Sequence, residues 1–341
     1  MTPRERIHRL CRGNEVDHLS AQPMVMMMAA RHFGISFIDY TRDGLVMADA
    51  QLKFAEDFGV DVLLTCSDPA REVVDIAGEG SVVWLEDQGP VIDEEHAALA
   101  NPEDLIGFRV PGVEPGGRMH DRVRAIERMR LTAGNHLSIV GWVEGPLALA
   151  QELRGLNRIM TDFFDDPKFV EDLLDFTSEV AIAYAPAQVE AGADTIGMSD
   201  AAASLIGPAL YERFVLPRQI RVLRSIKSRF PEVLTRVHMC GDTNPLLHLM
   251  AQLPTDIVEL DFPVDLTDAR RKLSPQQVIS GNVSTVTELI HGTPDSVSQA
   301  VAKCHAKVGP KFIVGSGCEV SPFTPPENIR AMASYAQEHQ P

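Results

Sequence analysis

The run Val237-His238-Met239-Cys240-Gly241-Asp242 and the distant Gly315-Ser316-Gly317-Cys318-Glu319 offer one imidazole and two thiols, each just past an apolar, strand-like stretch. One nitrogen and two sulfur ligands with a fourth position open form the donor set of a catalytic zinc site. Zinc held this way binds a further thiol and keeps it as thiolate at neutral pH. His238 and Cys240 are two residues apart, so in extended backbone both side chains leave the same face. Gly241 and Gly317 let the backbone turn sharply beside an ion. Each ligand taken singly also suits an ordinary core, because free cysteine is a small hydrophobe and a buried histidine needs only a hydrogen bond. Their joint position at strand ends favours His238, Cys240 and Cys318 as metal ligands. Cys11, Cys66 and Cys304 are read as structural.

The elements that must position these groups follow from apolar periodicity. Short runs rich in β-branched residues predict strands at Pro23–Met28, Val60–Cys66, His136–Val143, Asp194–Ser199, Val233–His238, Asp256–Asp261, Gln277–Asn282 and Lys311–Ser316. Helix-period segments separate them, among them Val46–Phe58, Lys168–Ala191, Tyr211–Arg229 and Pro294–Val308. Eight βα units in 341 residues predict an α/β fold, a (β/α)8 TIM barrel, with residues 1–341 as a single domain. A doubly wound sheet is the competing arrangement. The stretch from Pro69 to Asn135 is too long for a βα connection, so an insertion is expected after strand 2. Within it, Ser81–Ile92 reads as two short strands around Gln88-Gly89-Pro90.

In such barrels chemistry gathers at the C-terminal ends of the strands. Asp68, Glu144, Asp200, Asp261 and Asn282 stand there, together with the three metal ligands. Asp68, Glu144 and Asp261 are candidates for catalytic proton handling or substrate contact. Asp200 and Asn282 are candidates for cofactor contact. Helix capping is the plainer reading for Asp68, Glu144 and Asp200.

The formal net charge of -17 argues against nucleic-acid binding and against an anionic membrane surface. No apolar run approaches the roughly 20 residues of a membrane span. The charged N-terminus has no secretory pattern, and five scattered cysteines make no disulfide framework. A reducing, cytoplasmic setting is expected.

Larger stretches resemble a known family: PMVMMMAARHFGISFIDYTRDG, GWVEGPLALAQELRGL, GADTIGMSDAAASLIGP, VHMCGDTNPLL, ELDFPVDL, SGNV and GSGCEVSPFTPPENI. The chain resembles the uroporphyrinogen decarboxylase superfamily, in the branch of cobalamin-dependent methyltransferases typified by methylcobalamin:coenzyme M methyltransferase. The resemblance implies the barrel fold and zinc on His238, Cys240 and Cys318. It also implies methyl transfer between a corrinoid, presented by a separate protein, and a thiol or other small-molecule donor or acceptor. Departures from the decarboxylase branch are specific. The arginine-rich MRQAGR motif is replaced by Met27-Met28-Ala29-Ala30-Arg31-His32, its tyrosine falls on Glu152, and its late histidine falls on Cys318. Only the aspartate, at Asp68, is retained. A decarboxylase or lyase acting on a smaller acid through Asp68 is the alternative, and a non-catalytic corrinoid- or metal-binding protein is a second.

Overall fold

A computed structural model describes residues 1–86, 88–92 and 97–341. Ten strands are present among them: β1 (Ser20–Ala21), β2 (Val62–Leu64), β3 (Val82–Val83), β4 (Val91–Ile92), β5 (Ser138–Glu144), β6 (Thr195–Ser199), β7 (Leu234–Met239), β8 (Ile257–Leu260), β9 (Val278–Val283) and β10 (Phe312–Ser316). Eight of them make a parallel sheet in the order β1-β10-β9-β8-β7-β6-β5-β2. Helices lie between successive strands, so the sheet curls into the expected TIM barrel. The seam between β1 and β2 is bridged by Asp61. Its backbone N–H donates to Ala21 O at 2.9 Å, and its Oδ2 accepts from Ser20 Oγ at 2.8 Å and Ala21 N at 3.2 Å.

The helices start and stop where local chemistry dictates. The helix Gly44–Phe58 is capped by the Asp43 carboxylate, which accepts from Leu45 N, and ends at Gly59 with φ 67°. The helix Leu266–Lys272 begins at Asp265, whose side chain accepts from Asp268 N. The helix Pro3–Cys11 plugs the N-terminal end of the barrel, where Ile7 and Leu10 meet Leu234, Ile257, Val278 and Ile313.

The interior is layered, as alternation requires. On β7, Leu234 joins the bottom apolar layer, and Val237 and Met239 pack outward among the helices. The middle layer is polar: Arg236 Nη1 lies 3.5 Å from Glu259 Oε1, and Ser280 Oγ also reaches that oxygen at 3.5 Å. Strand register sets His238 beside Glu259.

The first strand differs from expectation. It lies at Ser20–Ala21, and Met27–His32 is helix. Pro23 has no N–H for the ladder. The last regular bond runs from Gln22 N to Val314 O at 2.8 Å, and Met24 N turns to Ser316 Oγ at 3.0 Å. The Met and Ala residues that follow favour helix over strand. The expected insertion carries a helix at Ala70–Ala77, the antiparallel β3–β4 hairpin and a helix at Arg118–Ala133. Asp87, just before the expected turn Gln88-Gly89-Pro90, lies outside the described residues.

Candidate metal centre

His238 is on β7, Cys240 just beyond its end, and Cys318 just beyond β10. Cys240 Sγ lies 3.3 Å from His238 Nε2 and 3.6 Å from Cys318 Sγ, and Cys318 Sγ lies 3.7 Å from His238 Nε2. The three ligand atoms thus face one point, all within 4.8 Å of one another. Bond lengths of about 2.0 Å to nitrogen and about 2.3 Å to sulfur let one tetrahedral ion touch all three. With the sulfurs so close, one proton serves both. The hydrogen bond from Cys240 holds the Cys318 thiol down at about 4, against burial and with help from His238, while the same contact pushes the Cys240 thiol up.

The other ring nitrogen explains the orientation of His238. Nδ1 lies 3.7 Å from Glu259 Oε2, and both atoms are buried without a hydrogen-bond partner among the described residues. An Nδ1–H turned to that carboxylate leaves the Nε2 lone pair for a metal. Burial tends to depress the His238 pKa, but Cys318 and Glu259 outweigh it and raise it. Glu259 was passed over in the sequence. Its signal, an acid buried in mid-strand, has meaning only once register sets it beside His238.

Asp261 is drawn into the same loops. Its Oδ2 accepts from Gly241 N at 2.6 Å and its Oδ1 from Phe262 N at 2.6 Å. Burial raises its pKa, opposed by those two N–H groups. Gly317 is required here, because a Cβ at that position would lie 2.6 Å from Phe262 N and 3.0 Å from Asp261 Oδ1.

Glu144 ends β5 and is buried, and its pKa is pushed well up by burial and by neighbouring Glu72. It is therefore disposed to hold a proton. Asp68 has the opposite character. Burial alone would raise its pKa, yet Arg71 and Arg118, at 3.4 and 3.5 Å, override it and hold the carboxylate below its ordinary value. Ser67 Oγ and Ala70 N also donate to it. This buried arginine group is not legible from spacing, because Arg118 lies far along the chain, past the hairpin.

Two expected cofactor contacts are used elsewhere. Asp200 is fully buried; its Oδ1 accepts from Ala148 N and its Oδ2 from Gln219 Nε2, both at 2.7 Å. It caps the helix Pro146–Arg154 from outside. Asn282 donates from Nδ2 to Asp261 O at 3.0 Å and Val264 O at 2.8 Å, so it pins the loop after β8. Strand-end position suggested ligand contact for both; in the structure their polar atoms meet neighbouring backbone and the side chains of Gln219 and Cys304.

The uroporphyrinogen decarboxylase (URO-D) family profile matches residues 2–339. The chain belongs to this family. Among its relatives, the methylcobamide:CoM methyltransferase MtbA of Methanosarcina mazei is 30% identical, over 99% of this chain and 98% of its own. A uroporphyrinogen decarboxylase of Prochlorococcus marinus is 28% identical over 72% of this chain and 70% of its own. A solved methyltransferase from Methanosarcina mazei superposes with TM-score 0.84 at 24% identity, over 99% of both chains, and shares the fold. Likeness to the family's methyltransferases supports methyl transfer as the reaction class, with decarboxylases also close. No helix among the described residues is long and apolar enough to cross a membrane.

Proposed function

We propose that the chain, residues 1–341 acting as one barrel domain, is a zinc-dependent methyltransferase that moves a methyl group between a corrinoid protein and a thiol. The observation that carries this reading is the convergence of His238 Nε2, Cys240 Sγ and Cys318 Sγ within 4.8 Å. The set fits zinc by donor type, and three protein ligands are one fewer than a tetrahedral zinc would take. Bound there, zinc would lower the pKa of a substrate thiol so that it is thiolate at neutral pH. Glu259 orients His238, and Asp261 fixes the loops after β7 and β8 around the site. A corrinoid presented to the site would supply the methyl group: a sulfur–carbon bond would form as the cobalt–carbon bond breaks, the electron pair of that bond remaining with the corrinoid. The thiol proton goes to solvent. In the opposite direction, with an ether or amine as methyl donor, Glu144 would protonate the leaving group.

The decarboxylase alternative is disfavoured by Asp68, whose carboxylate is tied to Ser67, Ala70, Arg71 and Arg118 and held ionised. The deciding experiment is turnover of methylcobalamin with a panel of thiols, followed by the loss of its absorbance. Methylated thiol and Co(I) are expected from zinc-loaded protein. Carbon dioxide release from a small acid, with no methyl transfer, would replace this reading by the decarboxylase. Metal and corrinoid binding without any turnover would leave a binding protein.

A further inference from the structure

We propose that Gln22 is a positioning residue of the metal centre, whose side chain ties the two halves of the ligand set together across the barrel interior. This rests on the zinc reading above and extends it to a residue outside the ligand set. His238 and Cys240 belong to β7 and its end, and Cys318 follows β10. The halves are remote in sequence, so their spacing depends on tertiary contacts.

Gln22 lies just past β1 and is buried. In the order of the sheet, β1 and β7 are four places apart in a ring of eight, so they stand on opposite walls. Arg236 of β7 spans the interior between them. Its Nη2 donates to Gln22 Oε1, and its Nη1 lies 3.5 Å from Glu259 Oε1. Glu259 Oε2 in turn lies 3.7 Å from His238 Nδ1. The other end of the amide is also used. Gln22 Nε2 donates to Ser20 Oγ at 3.1 Å, and Ser20 Oγ donates to Asp61 Oδ2 at 2.8 Å. Arg6 Nη1, from the helix that plugs the barrel, donates to the same oxygen at 3.3 Å. This run of donors fixes the direction of the amide, because a flipped Gln22 would turn its N–H groups on the guanidinium. The groups from His238 down to Asp61 are all buried, where such networks are rigid and their loss is costly.

Strand β1 leads from Gln22 to the other half of the site. Two residues on, Met24 N donates to Ser316 Oγ at 3.0 Å, and Val320 N donates to Met24 O at 2.8 Å. Ser316 and Val320 each stand two residues from Cys318, so Met24 grips the segment that carries it. Gln22 is thus fixed to β7 by its side chain and to the Cys318 segment by its own strand. A ligand set works only when held within about 0.5 Å of its productive geometry. Without the Gln22 amide, Arg236 loses its anchor on the far wall, and Glu259 and His238 lose the support behind them.

The test uses the full-length protein under reducing conditions, loaded with Zn²⁺ or with Co²⁺ as an optical probe. Gln22→Met keeps the side-chain volume and removes both hydrogen bonds. Zinc affinity, from competition with a chromophoric chelator, should fall about tenfold, the low end for residues that orient a metal ligand. The visible bands of the Co²⁺ protein should shift, because they follow the geometry of the ligand set. In an Arg236→Met background, Gln22→Met should change zinc affinity by less than about twofold, since its partner is already gone. Leu10→Ala, in the bottom apolar layer, is the control for a weakened barrel. Its urea midpoint should fall while zinc affinity and Co²⁺ bands stay as in wild type. Wild-type affinity and bands in Gln22→Met overturn the inference and leave the metal site standing. So does a full tenfold loss on top of Arg236→Met, or an equal loss in Leu10→Ala. A wild type that binds neither ion removes the zinc reading itself, and the inference with it.

Discussion

Glu259→Gln isolates the part of the site least visible in the sequence. Glu259 Oε2 and His238 Nδ1 stand 3.7 Å apart, both buried and neither with a hydrogen-bond partner among the described residues. A small closure makes a charge-assisted hydrogen bond that fixes the ring and makes Nε2 a better donor. Removing such a partner typically weakens metal affinity about 10- to 100-fold, or about 1.4–2.7 kcal/mol. The site is shielded from water, so screening does not reduce the effect. Glutamine keeps the shape but not the charge. It also leaves Arg236, 3.5 Å from Glu259, without its counter-ion, at a cost of about 3–5 kcal/mol in stability. The two consequences are read separately. Competition with a zinc-binding chromophore under reducing conditions gives the affinity, and urea unfolding of the apoprotein gives the stability. Zinc affinity equal to wild type together with lowered stability would refute the orienting role and leave Glu259 as the counter-ion of Arg236 alone.

Three further outcomes are expected. Cys240→Ala and Cys318→Ala should each lose bound zinc on dialysis while keeping the far-ultraviolet circular dichroism of the barrel; full zinc retention in both removes them as ligands. Gly317→Ala should destabilise by about 1–3 kcal/mol and impair zinc binding, because the new Cβ would press on Phe262 N and Asp261 Oδ1 at 2.6 and 3.0 Å; an unchanged melting curve would show that the loop yields freely. Burial lifts the Asp200 carboxyl from 3.8 to about 7, so between those values the folded state holds a proton that the unfolded chain has lost. Stability should therefore fall as pH rises through that window, by at most about 4 kcal/mol at about 1.4 kcal/mol per pH unit. Urea unfolding at several pH values should show the fall in wild type and lack it in Asp200→Ala; the same slope in both would assign it to other groups.

The barrel was legible because buried parallel strands read as continuous apolar runs, and the amphipathic segments between them have a different period. Seven strands came within two residues of expectation at each end. The first did not, because Pro23 and the methionines after it act through hydrogen-bond donors and helix propensity rather than hydropathy. His238 and Cys240 could be paired in advance, since a spacing of two in a strand fixes a shared face. Cys318 needed only the closure of the barrel. Glu259 could not be found the same way, because its importance depends on β7–β8 register. The partners of Asp200 and Asn282 were hidden for a related reason. Position at a strand end does not reveal whether a neighbouring helix start or loop already uses the polar atoms. The ties of Asp68 to Arg71 and Arg118 are likewise tertiary.

The most direct test of the central claim is zinc K-edge X-ray absorption on the purified protein, with and without a substrate thiol. The account predicts one nitrogen at about 2.0 Å and two sulfurs at about 2.3 Å, with a third sulfur added by the thiol. Cys240→Ala and Cys318→Ala, each stripped of zinc by dialysis, should show no such shell. A zinc shell of nitrogen and oxygen only, unchanged by the thiol, would contradict it.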